Sequence, residues 1–239
     1  MEILLCEDKE IKNVAKAIVK YITLNNFKKI LLVANDGNIK CNYLLSIIQT
    51  VLLKNGIEMH NLDVCIYPCL TYVQNKNSYP LSLMLGVDTI NNKVEIAINS
   101  LKQNFKLKSF LSLLNKTIKL KNNHFCKIKN IENLKKEYFN YLKLHISFNL
   151  PISIDNSYPA INELCNFVFP KHQKVNNSHL LNHISLKQQK IGISFNKYGT
   201  ENTMFMPNNI KNETQKHTII NDAVLSAIIT LNKIQLKKD

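Results

Sequence analysis

The sequence predicts an α/β protein made of two successive α/β domains with mixed, mainly parallel sheets. Three observations lead there. Short, continuous apolar runs alternate with amphipathic segments of helical period through the first hundred residues. A lysine- and asparagine-rich stretch without a period, Lys119 to Asn133, interrupts that pattern. Beyond it the alternation restarts. The expected division is a first domain over 1–120, a linker over 121–133 and a second domain over 134–239. A chain of 239 residues is long enough for both.

Lys12 to Leu24 carries Val14, Ala17, Ile18, Tyr21 and Ile22 on one helical face. Ile30 to Ala34 is an unbroken apolar run, suited to a parallel strand buried on both faces. The turn formers Asn35, Asp36, Gly37 and Asn38 follow. Cys41 to Lys54 has the period of an amphipathic helix, and Asn55-Gly56 is a C-terminal stop. Ile57 to Val64 reads as the next strand, completing a βαβ unit of right-handed crossover. Thr71 to Lys76 is a short helix, and Leu81 to Leu85 and Lys93 to Ile98 are strands. Leu101 to Leu120 reads as a helix with lysines outward. In the second half, helices are expected near Leu134 to Leu142, Ala160 to Asn166, Ser178 to Lys187 and His217 to Leu231. Strands are expected at Leu144 to Phe148, Ile191 to Phe195 and Thr203 to Met206.

The formal net charge is +14, all 31 basic side chains are lysine, and tryptophan is absent. The scarce residue types are those written with G- and C-rich codons, which points to an AT-rich genome. Lysine meets phosphate as a point charge rather than a bidentate fork. Any phosphate site must therefore use lysine, backbone N–H groups or helix N-termini. The lysine clusters at Lys28-Lys29, Lys102 to Lys121, Lys135-Lys136 and Lys237-Lys238 read as solvated surface. The alternative is a lysine-rich nucleic-acid-binding protein that attracts RNA at low salt. The lack of tryptophan and the scattered aromatics weigh against a stacking platform.

The N-terminus turns acidic within seven residues and lacks the layout of a signal peptide. No apolar run approaches the ~18 residues of a membrane span. Six cysteines are too sparse for a disulfide scaffold, so a reduced, cytoplasmic protein without a membrane partner is expected. Cys65 and Cys69 lack the second pair that zinc requires and read as core thiols. His179 and His183 lie four apart on an expected helix, either a polar face or a metal pair. No Walker or dinucleotide loop is legible.

Three segments in order carry a resemblance. The first is KKILLVANDGNIKCNYLLSIIQTVLLKNGIEMHNLDVCIYPCLTYVQNK, the second SLMLGVDTINNKVEIAIN, the third FVFPKHQKVNNSHLLNHISLKQQKIGISFNKYGTENTMFM. Together they resemble the first two of four domains of the α-D-phosphohexomutase superfamily, which includes phosphoglucomutases and phosphomannomutases. The resemblance implies an ancestral reaction, intramolecular phosphoryl transfer on hexose phosphates through a phosphoserine. It also implies the positions that differ. The family's Thr-Ala-Ser-His-Asn-Pro loop falls on Gly86 to Asn91, with Asp88 at the phosphoserine. Asp88 is then either a loop residue in a turn or a fixed negative charge that mimics phosphoserine beside a lysine such as Lys197. The family's magnesium loop, Asp-Gly-Asp-Gly-Asp-Arg, falls on Asn196, Lys197, Tyr198, Gly199, Thr200 and Glu201. The ligand positions are then Asn196, Tyr198 and Thr200, which supply no charge. The opening turn keeps Asp36 but has Asn38 for the family's Arg. Asp36 is expected to cap the following helix, the alternative being a ligand contact.

The resemblance thus implies a degenerate, truncated homologue with little or no mutase activity alone. No cofactor is expected, magnesium belonging to the ancestral family. The partner would be a sugar phosphate or a protein carrying the missing domains, which in the split-enzyme alternative completes an active mutase.

Overall fold

The computed structural model describes residues 3–101, 107–114, 126–155, 157–169, 172–175, 191–205, 213–216 and 222–236. It divides into two units, Met1–Val64 with Leu70–Leu134, and Cys65–Cys69 with Lys135–Asp239.

In the first unit, β1 (Ile3–Cys6), β2 (Ile30–Asn35), β3 (Glu58–Val64), β4 (Leu81–Asp88), β5 (Lys93–Ser100) and β6 (Ile128–Asn130) form one sheet in the order β1-β5-β4-β2-β3-β6. β4, β2, β3 and β6 run parallel, while β5 is antiparallel to β4 and to β1. β2 is buried along its whole length, as its unbroken apolar run requires. One face of the sheet, with Leu31, Val33, Leu83, Leu85 and Ile96, shares a core with α1 (Ile11–Leu24) and α2 (Ile39–Lys54). Ser82 alternates to the opposite face. There its hydroxyl donates to Gln74 Oε1 at 2.7 Å, anchoring the part of α3 (Tyr67–Lys76) that lies in this unit. α2 stops as its sequence predicts: Gly56 has φ +70°, and Ile57 N–H closes on the Leu52 carbonyl at 3.1 Å.

The helix expected over Leu101 to Leu120 is realised only as α4 (Leu107–Leu111), followed by a turn to Leu114. Residues 102–106 and 115–125 lie outside the described residues. Within the span expected as linker, Ile128–Asn130 adds an edge strand to β3. Lys129 fixes it there by its 2.7 Å contact with Glu58.

The second unit has a sheet of β7 (Ile152–Asp155), β8 (Gln173–Val175), β9 (Ile191–Phe195), β10 (Glu201–Phe205) and β11 (Glu213–Lys216), in the order β11-β10-β9-β7-β8. β8, β7 and β9 are parallel, and β10 and β11 return antiparallel. Its helices are α5 (Asn133–Leu144), which enters the unit at Lys135, α6 (Pro159–Val168) and α7 (Ala223–Leu236). Pro159 at the first helical position sets the start of α6. Asp222 caps α7 by accepting Leu225 N–H at 3.0 Å, and receives the buried Tyr138 hydroxyl at 2.9 Å.

The strand expected at Leu144 to Phe148 is not formed. Leu144 ends α5 exposed, and His145 to Ser147 are held instead by Asn232. Asn232 accepts Ser147 N–H at 3.0 Å and donates to the His145 carbonyl at 2.6 Å, and the N–H groups of His145 and Ile146 close back on the Leu142 and Lys143 carbonyls as the end of the helix. The parallel strand is β7, just beyond Pro151. The helix expected at Ser178 to Lys187, with His179 and His183, lies outside the described residues, as do residues 217–221.

Candidate functional site

In open α/β sheets, chemistry gathers at the C-terminal ends of parallel strands. In the first unit, the ends of β2 and β4 lie side by side and carry Asp36 and Asp88.

Asp36 does not cap α2. The cap is Asn38, whose side-chain oxygen accepts Lys40 N–H at 3.0 Å. Asp36 is buried and continues the β2–β4 ladder instead. Its N–H donates to the Leu85 carbonyl at 3.0 Å, and its Oδ2 accepts Val87 N–H at 3.1 Å. Its Oδ1 takes Asn38 N–H at 2.9 Å and the Cys41 thiol at 3.3 Å. The carboxylate thus fixes the turn after β2 to the strand that leads into Asp88.

Asp88 ends β4 opposite Lys93, and residues 89–92 make the tight turn into β5. Its carboxylate folds over that turn. Oδ1 accepts Ile90 N–H at 2.9 Å and Asn91 N–H at 3.2 Å, and Oδ2 accepts the Asn91 amide at 2.7 Å. This is the local bonding for which Asp is favoured in turns. Asn92 takes the left-handed conformation, φ +51°, that closes the hairpin. Lys40 reaches the same end: its Nζ donates to Asn92 Oδ1 at 3.0 Å and pairs with Asp8 at 2.8 Å. Ile90 is 91% exposed at the tip.

In the second unit, residues 196–200 form the turn between β9 and β10. Asn196 Oδ1 accepts Thr200 N–H at 2.9 Å and Glu201 N–H at 3.3 Å. Asn196 Nδ2 donates to Thr200 Oγ1 at 2.9 Å. Tyr198 is buried, and its carbonyl accepts Tyr67 N–H at 3.0 Å. Lys197 Nζ lies 4.9 Å from the centroid of the Tyr198 ring. Gly199 has φ +67°, and a Cβ there would meet Ile66 Cδ1 at 2.8 Å, so both conformation and space require glycine.

This donor set does not fit magnesium. The ion takes near-octahedral oxygens, usually including one or two carboxylates. Here the Asn196 and Thr200 oxygens already accept hydrogen bonds within the turn, the phenol ring is buried, and an ammonium group stands at position 197. Among the described residues, no group of three His, Cys, Asp or Glu side chains is placed to hold a metal. Cys65 and Cys69 are buried free thiols, and burial pushes the Cys69 thiol well above its ordinary range.

Sequence reasoning missed Asp155, at the C-terminal end of β7. It is buried, accepts the Ser194 hydroxyl from β9 at 3.1 Å, and accepts both the N–H and the hydroxyl of Ser157. The available signal was an Asp two residues before a Ser, ahead of a proline-started helix.

Taken together, both units are α/β, with polar turns gathered at strand ends. The comparisons with known proteins agree. Residues 6–88 match the family model for "Phosphoglucomutase/phosphomannomutase, alpha/beta/alpha domain I". A phosphoglucomutase/phosphomannomutase family protein from Burkholderia thailandensis is similar in structure, with a TM-score of 0.69 at 10% identity. The match covers 87% of this chain and 52% of that one. A candidate phosphomannomutase from Thermus thermophilus is similar with a TM-score of 0.64, also at 10% identity, over 82% and 52%. This chain thus spans about half the length of both. No curated protein matches by sequence. Residues 6–88 are thus similar to domain I of that family. No helix among the described residues is long and apolar enough to cross a membrane.

Proposed function

We propose that this phosphohexomutase-like chain does not carry out phosphoryl transfer by itself. It acts as a sugar-phosphate-binding or partner-binding descendant of the mutases. The observation that carries this reading is Asp88. The residue at the phosphoserine position spends both carboxylate oxygens on the N–H groups and amide of its own turn. A stored phosphoryl group needs a free nucleophile, commonly with a base in reach. The turn at Asn196 supports the same conclusion, since its oxygens are engaged by Thr200 and Glu201. The test is turnover of glucose 1-phosphate by the purified chain with its 1,6-bisphosphate and magnesium. No product above the protein-free rate is expected. Turnover that disappears in Asp88→Ala overturns the reading.

A second reading is favoured by the coverage: the chain spans 52% of each similar structure. In it, a separate polypeptide supplies the part of those structures that this chain does not match and completes an active mutase. Co-expression with such a polypeptide, followed by the same assay, separates the two.

A further inference from the structure

The first unit holds a second polar cluster, at the end of the parallel strands opposite Asp36 and Asp88. Glu58 and His60 lie two residues apart near the start of β3, so their side chains stand on one face of the sheet. It is the face that carries Ser82, since Leu32 pairs with both His60 and Ser82. Tyr79, just ahead of β4, reaches the same face. Gln74 pins it there: the Gln74 carbonyl accepts Tyr79 N–H at 3.0 Å, and the Gln74 amide donates to the Tyr79 carbonyl at 3.2 Å. Tyr79 Oη lies 2.8 Å from His60 Nδ1, with the two rings edge to face. On the far side of the imidazole, Nε2 lies 3.1 Å from Glu58 Oε1, as a charge contact rather than an aligned hydrogen bond. Lys129 of β6 ends the row on Glu58 at 2.7 Å.

The order of these groups fixes the protons. An unprotonated Nε2 would set its lone pair against the Glu58 carboxylate, so the neutral ring carries its proton on Nε2. Nδ1 is then an acceptor, and the Tyr79 hydroxyl donates to it. A hydroxyl bonded to a base that a third group orients is the arrangement that activates nucleophiles. Burial and the charge of Glu58 push the Tyr79 phenol above its ordinary range. The group therefore reacts as a hydroxyl that gives up its proton during attack, not as a preformed phenolate. The row borders water, for Tyr79 is half-buried and the Lys129 side chain is 55% exposed.

We propose that Tyr79 is a nucleophilic site that accepts an acyl group from a small activated ester. Tyr79 Oη attacks the ester carbonyl carbon, and its proton passes to His60 Nδ1. The imidazolium so formed is stabilised by the Glu58 carboxylate beside Nε2. The ester C–O bond then breaks, the leaving alcohol takes the proton back from His60, and the acyl group stays on Tyr79. Acyl transfer fits better than phosphoryl transfer, which calls for cations over the phosphoryl oxygens, whereas Lys129 is held by Glu58. The site is independent of the proposed function, and no result below bears on Asp88.

The probe is p-nitrophenyl acetate, incubated briefly with the full chain at neutral pH, with acetylated residues quantified by peptide mass spectrometry. Tyr43 of α2, 63% exposed, is the internal reference. Tyr79 should be acetylated at least about tenfold faster than Tyr43 despite its lower exposure. His60→Gln should remove that excess and leave the Tyr43 rate unchanged. On the unaltered protein, nitrogen chemical shifts of the His60 ring should place its proton on Nε2. Acetylation of Tyr79 no faster than that of Tyr43, an excess that survives in His60→Gln, or a neutral ring protonated on Nδ1 overturns the proposal.

Discussion

The Asp88 carboxylate accepts the side-chain amide of Asn91 at 2.7 Å, across the tip of the β4–β5 hairpin. With the backbone donors of Ile90 and Asn91, this makes Asp88 the organiser of its own turn. Asp88→Ala should cost about 1 kcal/mol. The expected thermal shift is a loss of roughly 2–4 °C. Differential scanning calorimetry checks it, and an unchanged midpoint would remove the turn role.

Gly199 is required twice, by its positive φ and by Ile66. Gly199→Ala should destabilise by roughly 1–2 kcal/mol from the left-handed backbone alone, with the contact to Ile66 added. Ile66→Val removes the Cδ1 atom that the new Cβ meets at 2.8 Å. In Gly199→Ala with Ile66→Val, urea midpoints should therefore show coupling, the double variant losing less than the sum.

Tyr138 buries its hydroxyl on Asp222, the cap of α7. Tyr138→Phe keeps the ring but leaves a buried carboxylate one donor short. A loss of about 2 kcal/mol is expected in chemical denaturation, as for hydrogen bonds to charged groups. A change below a few tenths of that would mean the hydroxyl is dispensable.

The hydrogen bond from Lys129 holds the Glu58 carboxyl below the usual glutamate range, with His60 adding to the effect. A depressed folded-state pKa stabilises above the unfolded pKa and is lost as pH falls through the folded value. The stability advantage of the natural chain over Glu58→Gln should thus be full at pH 7. It should shrink below about pH 4. Melting temperatures of both proteins across pH 3 to 7 give the comparison, and a pH-independent gap would contradict the ion pair.

The first unit was largely legible because its signals are local and strong. The run Ile30 to Ala34 is apolar without a break, and Asn55-Gly56 ends α2 as read. β7 was missed because Ile-Ser-Ile-Asp is only four residues long and half polar, yet is buried throughout. Its Asp155 is satisfied by Ser157 and Ser194, and Ser194 lies on a strand far along the chain. β1, β8 and β11 are likewise three or four residues long, too short to show a period. At the candidate site, Asp36 and Asn38 have the same capping chemistry two residues apart. Only the distant Val87 N–H, which Asp36 accepts, decides which of them caps α2. Turn character at Asp88 was one of two open readings, and the donors that engage it sit two and three residues on.

The proposed function requires that Asp88 takes up no phosphoryl group. Intact-protein mass spectrometry after brief incubation with glucose 1,6-bisphosphate and magnesium at neutral pH reads this out. The predicted spectrum contains only the unmodified chain. A species heavier by one phosphoryl group, absent from Asp88→Ala, would contradict it.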